Sequence, residues 1–186
     1  MILDNLLMFT GTSNGATAGI TSGPQTDSPT TGNQTSSNNI DLHMLGIPKL
    51  AAGQGARDIG IGDDPAMKLL VLVTTAFVGG TGIQIALQGA PDNGSGAPGT
   101  FVPWWTSPTY ATAILLAGTR LYDMDMPRPP AGDPVPRFLQ MLFVTTGTMT
   151  GGAIEACIVL DRHDQMYNAT NNAILGGYPP GVVIAN

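Results

Sequence analysis

Charged side chains are scarce in this sequence of 186 residues. They make up 11% of it, less than half of the share of about 25% that is typical of soluble domains. Glu155 is the single glutamate, and Lys49 and Lys68 are the only two lysines. Solvent-facing helical surfaces are normally filled with Glu, Lys and Arg, which lose little rotamer freedom there and form ion pairs between successive turns. The sequence therefore argues against helices.

Cysteine and histidine are also scarce, which limits the chemistry that the sequence predicts. The one cysteine, Cys157, excludes an internal disulfide framework and lies in an apolar run, where an inert core residue is expected. The two histidines, His43 and His163, are far apart and form no H-x-H pair. Residues 11–15 match the G-x-S-x-G string but lie in a Gly/Thr/Ser tract rather than between a strand and a helix. We predict no catalytic residue, no metal ligand and no cofactor, and we expect no enzyme.

Basic residues are too few and too scattered for a nucleic-acid surface. The seven Lys and Arg residues are outnumbered by thirteen acidic residues, which gives a formal net charge of −6. Nucleic-acid affinity depends on Lys and Arg neutralising phosphates. The chain also has no run of about 18 apolar residues, and its first nine residues lack the basic start of a secretory signal. Neither nucleic acid nor a membrane is expected as a partner.

What the sequence does contain is typical of β-structure. Gly (25 residues), Pro (15), Thr and Asn are abundant, and they separate runs that alternate between apolar and polar residues. Strands are predicted at residues 68–77, 81–88, 110–117, 137–146 and 150–162, with a turn at Gly79 and Gly80. In the second strand Ile83, Ile85 and Leu87 share the inward face, while Gln84 and Gln88 face outward. The prediction is an all-β, antiparallel β-sandwich, with the jelly roll as the leading topology.

Extended arms are predicted on both sides of this β domain. Residues 1–39 form an N-terminal docking segment and arm, residues 40–165 the jelly-roll-like domain, and residues 166–186 a C-terminal tail. Residues 10–39 contain one large apolar side chain, Ile20, and cannot bury enough surface to fold alone. They are either a mobile linker or an arm that becomes ordered on a partner, and the sequence leaves both alternatives open.

Two adjacent tryptophans mark the strongest candidate for a binding surface. Trp104 and Trp105 lie beside Phe101 in a Pro/Gly-rich stretch, residues 90–108, that is predicted to be a loop. In an extended loop both rings cannot enter one core, so one is anchored and the other is an exposed interface residue. Alternatively, the loop folds back and covers the end of the sandwich with both rings. These two predictions are about equally supported.

Several short motifs, in their order along the chain, resemble the capsid cement (decoration) proteins of tailed bacteriophages. They are residues 1–9 (MILDNLLMF), a Ser/Thr-rich stretch, residues 39–42 (NIDL), residues 56–62 (ARDIGIG), residues 118–122 (GTRLY), residues 137–139 (RFL) and Gly151-Gly152. The resemblance covers about residues 1–165. It implies a jelly-roll-like structural protein on the exterior of the virion, made in the cytoplasm of the host bacterium, which cements neighbouring major capsid protein subunits. It also implies a dimer or trimer.

The interface of such a protein is expected to be apolar. The candidate partner-binding residues are Ile2, Leu3, Leu6, Leu7, Phe9, Phe101, Trp104, Trp105, Tyr178, Val182, Val183 and Ile184. An alternative function is a carbohydrate- or receptor-binding β-sandwich module of a phage structural protein, in which Trp104 and Trp105 form a stacking platform.

Overall fold

A computed structural model describes residues 7–11, 26–42, 67–133 and 136–159, together with the backbone of two short strands further on. Nearly all of its regular structure is β. The strands are β1 (Asn33–Thr35), β2 (Ile40–Asp41), β3 (Lys68–Gly79), β4 (Gly82–Ala90), β5 (Val102–Thr106), β6 (Tyr110–Ala111), β7 (Arg120–Asp125), β8 (Phe138–Thr146), β9 (Met149–Val159), β10 (Met166–Asn168) and β11 (Ala173–Leu175). A 3₁₀ turn, Thr112–Ile114, follows β6. No helix in these ranges is long and apolar enough to cross a bilayer.

Two antiparallel sheets pack face to face. In one sheet the strands follow the order β1-β8-β4-β5, with β2 also paired to β8 and β6 to β4, and in the other the order is β7-β3-β9. Strands β10 and β11 pair only with each other in the described structure. The antiparallel all-β sandwich predicted from the sequence is confirmed.

The centre of the sandwich is one two-stranded ribbon that folds over on itself. Strand β3 continues into β4, and this length of chain pairs first with β9 and then with β8. The register runs from Lys68 opposite Val159, through Gly82 opposite Thr146, to Ala90 opposite Phe138, with register shifts between Val73 and Gly79. The fold-over, which follows these irregularities, carries the ribbon from one sheet to the other.

Glycines make the sharp fold-over possible. Gly79, Gly80 and Gly147 all have positive φ, at 78°, 56° and 80°, a region that side chains with a Cβ rarely enter. A Cβ on Gly79 would lie 2.7 Å from the backbone oxygen of Thr148, and one on Gly147 would lie 3.1 Å from the Cα of Gly80. The two halves of the corner therefore pack backbone against backbone. The corner includes Gly79 and Gly80, where the sequence predicted a turn.

Alternating residues of the ribbon form the core. The inward faces of β3, β4, β8 and β9 bury large apolar side chains against each other between the sheets. They include Leu69, Val71, Val73, Phe77, Ile83, Ile85, Leu87, Leu139, Met141, Phe143, Ile154 and Ile158. Gln84 and Gln88 lie outside this core and are partly exposed, as the alternation in the sequence predicted.

A strap of residues 7–11 and 26–42 closes one open side of the sandwich. At the edge of β9, the amide of Phe9 donates to Ala156 O, and Asp27 pairs with Ile154. At the edge of β8, β1 and β2 add antiparallel pairs. The amide of Asn38 donates to Phe9 O and joins the two parts. Residues 26–39 therefore belong to the sandwich. The predicted boundary after residue 39 assigned them to the arm instead of to the β domain.

Two local predictions need correction. The stretch predicted as a loop at residues 90–108 contains β5, which carries both tryptophans. The strand predicted at residues 110–117 is β6 followed by the 3₁₀ turn, because Leu115 turns inward to the core while its neighbours turn out.

Candidate interaction surface

The two tryptophans lie on the side of the sandwich opposite the strap. Leu87 of β4 is opposite Trp105, and the next residue, Gln88, is opposite Pro103, so Trp104 is the extra residue of a β-bulge. A bulge changes the direction of a side chain relative to plain alternation. Both rings pack against the core cluster, and the expectation that adjacent tryptophans cannot share one face is overturned by this register shift.

Each ring has a specific partner within the chain. Trp105 packs against Tyr122 of β7, with ring centroids 4.3 Å apart and the planes tilted by 56°. Trp104 lies on Gly89, where a Cβ would come within 2.5 Å of the indole ring. Tyr110 also packs here, and its hydroxyl donates to Leu121 O at 2.7 Å. Trp104 and Trp105 therefore seal the seam between the two sheets, and both remain half-exposed.

The described part of the N-terminal segment lies mainly in the core. Phe9 has 0% exposure and is a member of the core cluster, while Leu7 is half-buried against it. Met8 packs behind the second sheet with Leu70, Cys157 and Val159. Phe9 therefore has no surface to offer a partner. Phe101 is half-buried, and Ile2, Leu3, Leu6, Tyr178, Val182, Val183 and Ile184 lie outside the described residues.

Arg137 joins three parts of the chain at one end of the sandwich. Its guanidinium donates to both carboxylate oxygens of Asp41 at 2.9 Å and also pairs with Asp92. The pKa of Arg137 is raised, chiefly by the hydrogen bond to Asp41. The pKa of Asp92 is lowered, first by the amides of Gly96 and Gly94 and then by Arg137. We call Arg137, Asp41 and Asp92 the Arg137 clamp and assign it a structural role, because each of its charged groups is paired with an opposite charge.

Other titratable groups in the sheets are held in ion pairs or are buried within the chain. Lys68 pairs with Asp125 at 2.5 Å, and Arg120 with Asp123 at 2.5 Å, so the acidic pair around Met124 is divided between two ion pairs. Burial raises the pKa of the Cys157 thiol, which keeps it protonated. Burial also raises the pKa of Glu155. Within the described ranges no group of three His, Cys, Asp or Glu residues could hold a metal ion.

Large apolar side chains are exposed at several places on the described surface. They are Val78, Val102, Ile114, Leu116 and Met124. The sequence did not predict these residues as exposed. Val78, Ile114 and Leu116 lie in or beside apolar runs whose periodicity does not show which face is covered, whereas Val102 and Met124 lie in stretches where no strand was predicted. Whether each of these side chains is exposed depends on how the two sheets pack against each other.

Comparison with known proteins indicates the family of this chain. No curated protein matches the chain. The sequence model of the Bbp16 family matches residues 26–158, which begins within the strap and ends in β9, and so spans the sandwich. This match covers well over half of the 186 residues, and the chain therefore belongs to the Bbp16 family, whose name indicates a phage-related family.

Proposed function

We propose that this chain is a non-enzymatic structural protein of a phage virion, which binds the outer surface of the capsid and cements neighbouring major capsid protein subunits. The observation that carries the proposal is the contrast between two sets of side chains. Arg137, Lys68 and Arg120 each hold a carboxylate of the same chain, while large apolar side chains are exposed on the strands and the 3₁₀ turn. Such a surface is suited to contact with another protein.

The membership of a phage-related family supports this proposal, as do the motifs shared with cement proteins. In mechanism, a cement protein binds the assembled shell and not free subunits, so mass action favours the assembled state. Many contacts repeated over one particle then add up as avidity.

The test is binding to shells that lack the protein, prepared from the phage that encodes it. We expect stoichiometric co-sedimentation with shells, no binding to unassembled capsid subunits, and a higher temperature of shell disassembly. A matched control is the same protein unfolded by heat before mixing. If the folded protein stays in the supernatant, or binds free subunits as well as it binds shells, the proposed function is wrong.

A second candidate function is a carbohydrate- or receptor-binding module. The observation that favours it is the partial exposure of Trp104 and Trp105 on β5, the strand that follows the polar Asp92–Ser95 loop in the chain. Both rings already pack within the chain, Trp105 on Tyr122 and Trp104 on Gly89, which leaves less ring surface for stacking on a sugar. A glycan array distinguishes the candidates, since this function requires binding that Trp104→Ala abolishes.

A further inference from the structure

At the end of the sandwich where the ribbon folds over, the described segments that meet contain no charged residue. We name this end the charge-free pole, and define it as residues 30–32, 78–81, 108–118 and 146–151. All four segments meet there: Met149 N donates to Thr30 O, Thr81 N to Thr146 O, and Thr112 N to Thr81 O. None of these residues is Asp, Glu, Lys, Arg or His. Threonine and glycine supply most of the pole, so its polar groups are neutral.

Exposed apolar side chains project from this pole. Val78, Ile114 and Leu116 are 60%, 50% and 59% exposed. The amide of Phe77 donates to Leu115 O at 3.0 Å, and both of these side chains are buried in the core. Their neighbours are exposed at the same corner: Val78 near the end of β3, and Ile114 and Leu116 at the end of the 3₁₀ turn.

The charged groups lie away from the pole. The Arg137 clamp with Asp41 and Asp92 is at the end of β4 and β8 that is far from the corner. Lys68 and Asp125 pair at the start of β3, at the opposite end of this 12-residue strand from Gly79. Arg120 and Glu155 lie opposite Leu72, and Asp27 bridges to Ile154, so these charges lie in the middle of the sandwich. Among the described residues, charge is therefore confined to the middle and the far end, and the pole is the neutral end.

We propose that the charge-free pole is the face that contacts the assembled shell, and that its target there is an uncharged, apolar protein surface. This inference rests on the proposed function. Contact through the pole removes apolar area from water without desolvating an ion. It also leaves the charged end, in a chain of net charge −6, directed toward solvent.

A second copy of the chain fits the pole less well. A stable pair of proteins buries about 800 Å² on each partner, and three partly exposed side chains provide only a small part of such an area. On a shell, the contact is repeated across many subunits and gains avidity. Because no charge takes part, we expect the binding to be nearly independent of ionic strength.

Leu116→Asp and Met124→Asp are matched variants that test the proposal. Met124 is 58% exposed, close to the value for Leu116, but lies on β7 beside the charged end. We expect Leu116→Asp to weaken shell binding at least about tenfold, because a carboxylate would be buried without a partner. Ile114→Asp should do the same. Met124→Asp should bind within about twofold of the unmodified chain, and raising the salt should change the affinity of that chain less than about twofold.

The outcomes separate this proposal from the one on which it rests. Thermal unfolding of each variant shows that it is folded before binding is measured. If the unmodified protein binds shells but Leu116→Asp and Ile114→Asp bind equally well, the pole is not the contact and only the inference fails. If those variants instead lose a self-association that sedimentation detects, the pole is an interface between copies. If the unmodified protein does not bind shells, the proposed function fails first.

Discussion

Gly152 lies where β9 passes beneath the ring of Phe77. Its φ is 128°, and a Cβ there would lie 2.3 Å from Cδ1 of that buried ring. Gly152→Ala must therefore strain the backbone and displace a core aromatic. We expect a loss of about 1–3 kcal/mol in the free energy of unfolding, measured by denaturant titration.

The adjacent residue is the control for this prediction. A Cβ on Gly151 would meet nothing within 4 Å, and its backbone is not in the positive-φ region. Gly151→Ala should change stability by no more than about 0.5 kcal/mol. Equal losses for the two variants would contradict the close approach of Gly152 to Phe77.

Glu155 should make stability depend on pH. Its pKa is raised above the ordinary value of 4.5 because burial disfavours the carboxylate. Since the folded pKa is the higher one, the folded state is not penalised below pH 4.5 and loses stability as the pH rises through the folded pKa. Glu155→Gln should therefore unfold at a higher temperature than the unmodified chain at neutral pH, and the difference should vanish in acid.

Asp133→Asn removes one negative charge from the loop after β7 and serves as the control for Glu155→Gln. If Asp133→Asn reproduced the same pH-dependent gain, the effect would belong to net charge and not to the burial of Glu155.

At the residue scale, the sequence predicted side chains that follow simple alternation and failed where the register shifts. Gln84 and Gln88 lie outside the core, as their spacing predicted. The shared face of Trp104 and Trp105 depends on a bulge against β4, and a register is set by the partner strand, which local sequence does not identify. Phe9 is buried rather than exposed to a partner, because β9, which covers it, lies almost 150 residues further along the chain.

Polar groups hold the strap in addition to the burial of Phe9, Ile40 and Leu42 in the core. Thr10 is fully buried, and its hydroxyl oxygen accepts a hydrogen bond from the amide of Ala156 at 2.9 Å. The side chain of Asp27 accepts from the amides of Gly11 and Ser37. The amide of Ser36 donates to Met141 O at 2.8 Å, and the amide of Met141 donates to the hydroxyl oxygen of Ser36 at 3.0 Å. Residues 26–39 therefore become part of the sandwich largely through hydrogen bonds. Their sequence is polar and has no apolar periodicity from which this could be predicted.

Thr10→Val should reveal how much the strap contributes. The valine fills the same space but leaves the Ala156 amide without its acceptor, which costs about 1–3 kcal/mol of the free energy of unfolding. Thr81→Val is the control, because the Thr81 hydroxyl bonds Thr146 O at an exposed corner. Denaturant titrations of both variants give the comparison, and a harmless Thr10→Val would show that the strap does not depend on this hydrogen bond.

Arg137→Lys should loosen the junction of β2, β8 and the loop before β5. A lysine cannot donate to both oxygens of Asp41 and also reach Asp92 in the planar geometry that the guanidinium provides. We expect a loss of about 1–3 kcal/mol in the free energy of unfolding. Arg128→Lys, on the exposed connection after β7, should have almost no effect, and equal losses would argue against the clamp.

The whole molecule should fold slowly, because its central ribbon joins distant parts of the chain. Lys68 pairs with Val159, and Ala90 with Phe138. All-β proteins dominated by such long-range contacts fold in milliseconds to seconds. The fluorescence of Trp105, which contacts Tyr122 across the seam between the sheets, reports this step in stopped-flow refolding. A main phase in microseconds would contradict the prediction.

At this scale the sequence predicted the class of fold but not the path of the chain. Scarce Glu and Lys, together with alternating runs, excluded helices and indicated an antiparallel sandwich. The fold-over of the ribbon joins residues that lie far apart in sequence, and its register depends on close backbone contacts at Gly79, Gly80 and Gly147. The charge-free pole could not be located before the chain was folded, because it collects neutral residues from four separate segments.

The fold-over also determines where this protein can be extended. Leu42 and Met67, the described residues on either side of residues 43–66, lie at one end of the sandwich, where Leu42 N donates to Arg137 O and Met67 O accepts from Met126 N. The loop between β4 and β5 and the connection between β7 and β8 emerge at this same end, opposite the glycine corner. Foreign peptides grafted into these connections would thus be displayed together on one face, while the glycine corner kept its shape. The fold offers a scaffold for multivalent display.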